Sequence, residues 1–245
     1  MKSSEKTKFI SNWIKTYVDQ MPSKAQSLVV GISGGVDSSV SSTLSAMTGL
    51  RTIVLSMPIR QKNNQHDLSL KHQEWLKNKF KNVEGYTVSL DKLFDSFSSS
   101  LKKFDNEHGF ANSRARLRMT TLYQVAAANK GIVVGTGNKV EDFGVGFYTK
   151  YGDGGVDISP IADCNKTEVW ELGKELGILK EIIDAPPTDG LWDDGRTDEG
   201  QLGFKYKDLE EAMVNPDSPH RQEYEKIRKQ NLHKMEPIPV CKIPS

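Results

Sequence analysis

At 245 residues the chain is long enough to bury a full hydrophobic core, and one domain spanning 1–245 is the simplest count. Its 33 Lys plus Arg stand against 32 Asp plus Glu, and a net charge of +1 gives no electrostatic case for a nucleic-acid partner. No apolar run approaches the ~20 residues of a membrane span, no signal-peptide core opens the chain, and Cys164 and Cys241 form neither a metal-type pair nor a disulfide framework, so a cytoplasmic protein without a membrane role is expected.

Residues 4–20 read as a helix, with Phe9, Trp13, Ile14 and Val18 along one stripe. Strands are expected at 26–32, 52–57, 85–90 and 131–136, each rich in Val, Ile or Leu. Between them, helices are expected at about 36–48, 67–80, 91–104 and 113–129. This alternation predicts an α/β fold, a doubly wound parallel sheet flanked by helices. Ligands in such sheets bind at the carboxyl ends of strands, where residues 33–39 and 136–141 would both lie. After residue 136 the character changes. Six glycines fall in 137–157, which reads as a loop; a helix at 166–176 ends at Gly177, a predicted C-cap. Pro186-Pro187 breaks the chain before a second Gly/Asp-rich loop at 188–200. Helices at 206–214 and 218–232 precede an extended tail with Pro237, Pro239 and Pro244. Long loops inside a compact domain are usually functional, and both are expected to order over bound substrates.

The sharpest local signal is LVVGISGGVDSS at 28–39. Val29, Val30 and Ile32 give a buried strand, and Gly34 and Gly35 permit backbone angles that other residues avoid. The N–H groups of 36–39 then fall at a helix N-terminus, where unpaired donors and the helix dipole stabilise phosphate. Asp37 would repel that phosphate unless a divalent cation sat between them. The loop therefore predicts metal–pyrophosphate. A Walker A ending is absent, since Gly173-Lys174 is followed by Glu175, and no Gly-x-Gly-x-x-Gly follows the strand. Lys166, opening a helix whose dipole is already positive there, points to a phosphate partner. At ~100° per residue Arg114 and Arg118 share a helix face and Arg116 points nearly opposite, with Arg114 read as a solvated charge. Ala115, Met119, Leu122 and Ala126 of the same helix would face either a core or a second subunit. Arg60, ending the second strand, reads either as a nucleotide contact or as a surface residue.

Five blocks stand in order: SGGVDSS at 33–39, ARLRM at 115–119, GTGNKVE–FYTKYGDGGVDISPI within 135–161, PTDGLW–DE–LG within 187–203, and HKMEPIP at 233–239. Together they resemble ammonia-dependent NAD synthetase, of the N-type ATP pyrophosphatases, over nearly the whole chain. The resemblance implies a ligase that adenylates the nicotinate carboxylate of deamido-NAD with ATP. Ammonia then displaces AMP, giving NAD, AMP and pyrophosphate. It implies Mg²⁺ on Asp37 and Glu141, and ATP on Gly31, Ile32, Ser33, Gly34, Gly35, Val36, Asp37, Ser38, Thr136, Lys166 and Thr188. It assigns deamido-NAD to Arg116, Lys150, Asp157, His233 and Lys234, and makes Asp37, Lys150 and Lys166 catalytic. Lys150 would either neutralise the carboxylate or stabilise the addition intermediate. A homodimer with dinucleotide near the subunit interface is also implied. The pattern departs at Asp189, where a small apolar residue is usual, and at Gly195, where glutamine is common. No glutaminase block is visible beside the synthetase, so free ammonia is the expected nitrogen donor. Two other readings remain: an ATP pyrophosphatase acting on another acid or an RNA base, and a non-catalytic nucleotide sensor.

Overall fold

The structure is a computed structural model that describes residues 1–60, 63–192 and 196–244. Strands β1 (Ser27–Gly31), β2 (Thr52–Ser56), β3 (Val83–Thr87) and β4 (Gly131–Val134) pair in parallel in the order β3-β2-β1-β4. Period-two alternation sends Leu28, Val30, Val54, Ile132 and Val134 to one face and Val29, Ile53, Leu55 and Val133 to the other. Both faces need cover, as parallel sheets do.

The helices supply it. The first five are α1 (Ser3–Gln20), α2 (Val36–Met47), α3 (Asn63–Lys79), α4 (Asp91–Ser100) and α5 (Glu107–Ala128). They are followed by α6 (Lys166–Leu176), α7 (Lys180–Ile183), α8 (Asp198–Leu202), α9 (Tyr206–Val214) and α10 (Arg221–Met235). Ile14 and Val18 of α1, Val40 and Leu44 of α2, and Val169 and Leu172 of α6 pack with the first face. Phe94 of α4 and Met119, Leu122 and Ala126 of α5 pack with the second. The apolar side of α5, Ala115 included, is therefore buried within the chain itself. Helix α2 is almost wholly buried although it carries five serines and a threonine. The hydroxyls of Ser42, Thr43 and Ser45 donate to carbonyls three or four residues back, so the burial leaves them satisfied.

Because the chain runs outward from β1 to β2 to β3 and then returns to β4 on β1's other side, the order reverses between β1 and β4. A crevice opens at such a switch point, beyond the carboxyl ends of the strands. No helix of the described residues is long and apolar enough to cross a membrane.

Several elements differ from expectation. The third strand occupies 83–87 rather than 85–90, because this edge strand, VEGYT, is half exposed and carries little apolar pattern. Helix α5 begins six residues early, capped by the Asn106 side chain, which accepts from Gly109 N. The last helix is shifted three residues toward the C-terminus, starting at Arg221 and ending at Met235 rather than spanning 218–232. Most consequential, the expected loop after β4 contains a π-helix, Lys139–Val145. Asn138 caps it by accepting from the N–H groups of Val140 and Glu141 at 3.1 Å each, and Gly146 closes it at φ +69°. Val140 and Val145 anchor it against Tyr206, Leu209 and Tyr224 in a third, smaller core. The second loop likewise ends in α8, capped by Thr197.

Candidate active site

After β1, the Ile32 N–H still bonds Leu55 O at 2.8 Å, and the chain then turns. Gly34 takes φ +90°, so it alone needs a glycine's left-handed freedom; Gly35, the N-cap of α2, sits at an ordinary φ of −87°. Serine hydroxyls brace the turn. Ser33 N donates to Ser38 Oγ at 3.1 Å, Gly35 N donates to Ser33 Oγ at 3.2 Å, and Ser38 Oγ donates to Gly35 O at 3.1 Å. Ser39 N is already bonded to Gly35 O, which leaves the amides of Val36, Asp37 and Ser38 as the first-turn donors without an intrahelical acceptor.

Lys166 is the first residue of α6 and only 2 % exposed. Its Nζ lies 2.6 Å from Asp37 Oδ2 and 2.9 Å from Glu141 Oε1. The cation that looked misplaced at a helix N-terminus is thus answered within the protein by two carboxylates, and it lies beside the α2 first turn where phosphate is expected. Asn138 joins the cluster, donating Nδ2 to Asp37 Oδ1 at 2.9 Å. The Tyr206 hydroxyl donates to Glu141 Oε1 at 2.5 Å and lies 3.3 Å from Asp198 Oδ2. Burial alone would lower the Lys166 pKa, but Asp37 and Glu141 overcome it and hold it above the ordinary lysine value. Burial also works against both carboxylates. It prevails at Asp37, which is raised, while Lys166 and the Tyr206 hydroxyl bring Glu141 below its usual range.

Acids outnumber cations here. Burial, then Asp153, Glu141 and Asp37, raise the Asp142 carboxyl well above normal, and burial followed by Glu141 pushes Asp198 up to about 8. Asp37 and Glu141 converge on one cationic atom, a geometry that a shared divalent ion can use. Among the described residues no three His, Cys, Asp or Glu converge on a metal position. That donor set fits Mg²⁺, which typically takes one or two carboxylates and completes its shell with phosphate and water oxygens.

The cavity at the switch point is lined by Gly31, Ile32, Ser33, Gly35, Val36, Asp37 and Ser38 after β1, by Thr136 after β4, and by Glu141, Lys166 and Thr188. Of the expected nucleotide run, Gly34 supplies the turn and does not line it. Arg118 does line it. Its Nε donates to Met57 O at 3.1 Å and its two terminal nitrogens reach Gly190 O at 3.4 and 3.5 Å; burial, then Arg114, lower its pKa to about 10. Arg114 is buried rather than solvated, donating to Leu191 O at 2.7 Å with its guanidinium 4.8 Å from the Phe94 ring centre. One turn apart on α5, the two arginines grip adjacent carbonyls of the segment after Pro186-Pro187. Arg118→Met keeps much of the side-chain volume and removes the grip on Gly190, worth about 1.5–3 kcal/mol for charged hydrogen bonds. Limited proteolysis should then cut the 188–200 segment faster than in the parent; unchanged cleavage would discount the latch. Gly195 lies outside the described residues, and Asp189 accepts from Leu191 N at 3.0 Å and Gln201 Nε2 at 3.1 Å, which binds the segment to α8.

The other expected residues gather elsewhere. Arg116 Nε donates to Lys150 O at 3.1 Å, Lys150 Nζ donates to His233 O at 3.1 Å, and Lys234 Nζ donates to Tyr148 O at 2.8 Å. Arg116, Lys150, His233 and Lys234 thus form a second basic group where α5, the 148–151 turn and the end of α10 meet. None of them lines the cavity, so Lys150 is not brought together with Asp37 and Lys166. Asp157 is separate again: its carboxylate accepts from Val133 N at 2.7 Å and from the Tyr123 hydroxyl at 3.0 Å, fastening the chain beside β4. Arg60 faces outward, bonded through N–H to Asp91 Oδ1 at 2.6 Å and paired with Asp95. Sequence reasoning placed Arg118 on a face with Arg114 without giving it a role, and passed over Asn138, Asp198 and Tyr206. Asn138 and Asp198 stand inside quoted blocks, which was the available signal. Nothing in the local sequence marks Tyr206.

The NAD synthase family model matches residues 6–243. Among curated proteins, the chain is 38% identical over 215 residues to the NH(3)-dependent NAD(+) synthetase of Carboxydothermus hydrogenoformans, covering 86% of this chain and 85% of that relative. Among solved structures, it superposes on the NMN synthetase from Francisella tularensis with a TM-score of 0.90 at 31% identity, covering 99% of this chain and 100% of the other. The NH3-dependent NAD synthetase from Campylobacter jejuni shares the fold, with a TM-score of 0.79 at 23% identity over 99% of this chain and 100% of that one.

Proposed function

The chain belongs to the NAD synthase family, and from that premise we propose that it adenylates the nicotinate carboxylate of deamido-NAD with ATP and then amidates it with ammonia. The observation that carries this reading is the meeting of Lys166, Asp37 and Glu141 beside the first turn of α2. A carboxylate is a poor electrophile until it carries a leaving group, so the protein's task is to hold two anions together and absorb charge growing on pyrophosphate. The amides of Val36, Asp37 and Ser38 bind the phosphate oxygens, with Gly34 letting the backbone approach. Lys166 supplies a fixed positive charge, and Thr136 and Thr188, which both line the cavity, hydrogen-bond the nucleotide. Asp37 and Glu141 would hold Mg²⁺, which when bound offsets phosphate charge. Arg114 and Arg118 keep the 187–192 segment against the cavity, excluding water that would hydrolyse an acyl-adenylate.

Arg116, Lys150, His233 and Lys234 fit the outer, phosphate-bearing part of the pyridine nucleotide, with Lys150 a positioning residue, and Asp157 acts through the 133–157 backbone. We retain Mg²⁺ dependence, a homodimer and a cytoplasmic setting as parts of the same proposal. Neither an ATP pyrophosphatase for another acid nor a nucleotide sensor is favoured by the family match. Incubation with ATP, Mg²⁺, ammonium and deamido-NAD should give NAD, AMP and pyrophosphate in equal amounts. ADP in place of AMP would reject the reading.

A second substrate deserves the same assay. The neighbour at TM-score 0.90 is named an NMN synthetase, and nicotinate mononucleotide presents the same reacting carboxylate without the adenylyl half. The ratio of kcat/KM for the two acids decides which is the preferred partner of this cavity.

A further inference from the structure

Lys166 is the first residue of α6, so its place depends on how that helix start is held. The first amides of a helix have no intrahelical acceptor. Two glutamates answer at this end of α6. Glu168 turns back within the first turn and accepts from Asn165 N at 2.9 Å. Glu210 comes from α9, 43 residues along the chain from Thr167. Its Oε1 accepts from Thr167 N at 2.9 Å and its Oε2 accepts from Thr167 Oγ1 at 2.7 Å. A carboxylate there gains from the helix dipole, and two contacts to one residue fix orientation as well as place.

One turn earlier, on the same face of α9, stands Tyr206. Its hydroxyl donates to Glu141 at 2.5 Å, and its ring centre lies 4.8 Å from Lys166 Nζ. Helix α9 thus reaches both sides of the buried ion cluster, one through Glu141 and the other through the residue next to Lys166. Leu209 and Ala212 seat α9 in the third core, so the two contacts share a fixed base. Neither Tyr206 nor Glu210 lines the cavity, and both act from behind its wall. A lysine has a long, flexible stem. An Nζ held 2.6 and 2.9 Å from carboxylates on two other elements needs a root that does not move.

We propose that Glu210 is a positioning residue for adenylation: by clamping Thr167 it fixes the start of α6, so that Lys166 stands where charge grows on the departing pyrophosphate. The assignment rests on the amidation reading above. Glu210 forms no bond to substrate and moves no proton. Its contribution is geometric, and a misplacement of about 1 Å at a reacting centre costs ~10²-fold.

Deamido-NAD-dependent ATP–pyrophosphate exchange, with rates taken per folded molecule, tests this. Glu210→Ala should lower kcat ~10- to 10²-fold while KM for ATP changes by less than about threefold, since the aimed charge acts on the transition state. Glu210→Gln keeps an oxygen for Thr167 N and offers an amide donor to Thr167 Oγ1, and should bring kcat back to within about threefold of the parent. In a Lys166→Met background, Glu210→Ala should cost less than about twofold more, because the clamp then has no ammonium to aim. Thr167→Val removes one of the two contacts and should give a smaller kcat loss in the same direction; it carries the comparison if a Glu210→Ala protein does not fold. An unchanged kcat with only a lower urea midpoint would make Glu210 an ordinary helix cap and overturn the assignment. So would an equal loss with and without Lys166, or a glutamine variant as slow as the alanine one. Absence of exchange in the parent would instead reject the amidation reading, and this assignment with it.

Discussion

Lys166→Met is expected to destabilise the protein by ~3–5 kcal/mol near neutral pH and to reduce amidation ~10³-fold. The stability loss arises because Asp37 and Glu141 are both in contact with the one ammonium that offsets their burial. Methionine fills the space but leaves two buried like charges. One of them must then take up a proton, and the pH dependence follows. In the parent, the raised Lys166 pKa contributes stability that is complete below the ordinary lysine value and is lost only as pH rises through the raised one. That lies above the working range, so this group gives the parent no slope. In the variant, the carboxylate pKa values rise above their unfolded values, so the folded state binds protons that the unfolded state does not. Stability should then fall as pH rises through those raised values. Denaturant midpoints at about pH 5.5 and about pH 8 should therefore differ far more in the variant than in the parent. Mg²⁺ should restore part of the loss, since a divalent ion can replace the missing cation. An equal deficit at both pH values, indifferent to Mg²⁺, would sink the account.

The strand, turn and helix around β1 were legible because local chemistry dictates them: an apolar run, a glycine with no alternative at residue 34, and a helix start. The alternation of elements gave a parallel sheet with residues 33–39 and 136–141 at its carboxyl ends, whereas the strand order, and with it the reversal between β1 and β4, came only from the fold. What escaped was set by tertiary contact. The π-helix depends on Asn138 turning its carbonyl onto two amides and on Val140 and Val145 finding a core made by α9 and α10. Six glycines in 137–157 gave the opposite impression. Arg114 read as solvated because helical geometry says which residues share a face, not what covers that face; Phe94 and Leu191 do. Lys166 was correctly singled out as misplaced, yet its partners lie 129 and 25 residues away, on elements that only the fold brings together.

Asp37→Asn should show the reverse balance: a stability change within about 1 kcal/mol and a loss of turnover of ~10³-fold. A carboxylate in the first turn of α2 gains from the helix dipole, but burial costs it more, which is why its pKa is raised despite Lys166. Asparagine keeps an oxygen for the Asn138 amide and gives up a charge the folded protein was already opposing. Lys166 retains Glu141, so no buried cation is stranded. The function loses what the fold does not miss, because Asp37 is the carboxylate nearest the α2 amides and the one through which a divalent ion can reach phosphate bound there. The Mg²⁺ concentration for half-maximal turnover should rise steeply in the variant, while urea midpoints stay close to the parent's. Parent-like turnover with an unshifted Mg²⁺ requirement would remove Asp37 from the metal and leave Lys166 as the sole phosphate counter-charge. Stability and activity thus separate at two residues 2.6 Å apart: Lys166 neutralises the buried pair, and Asp37, already paired with it, adds the carboxylate through which a divalent ion would reach phosphate.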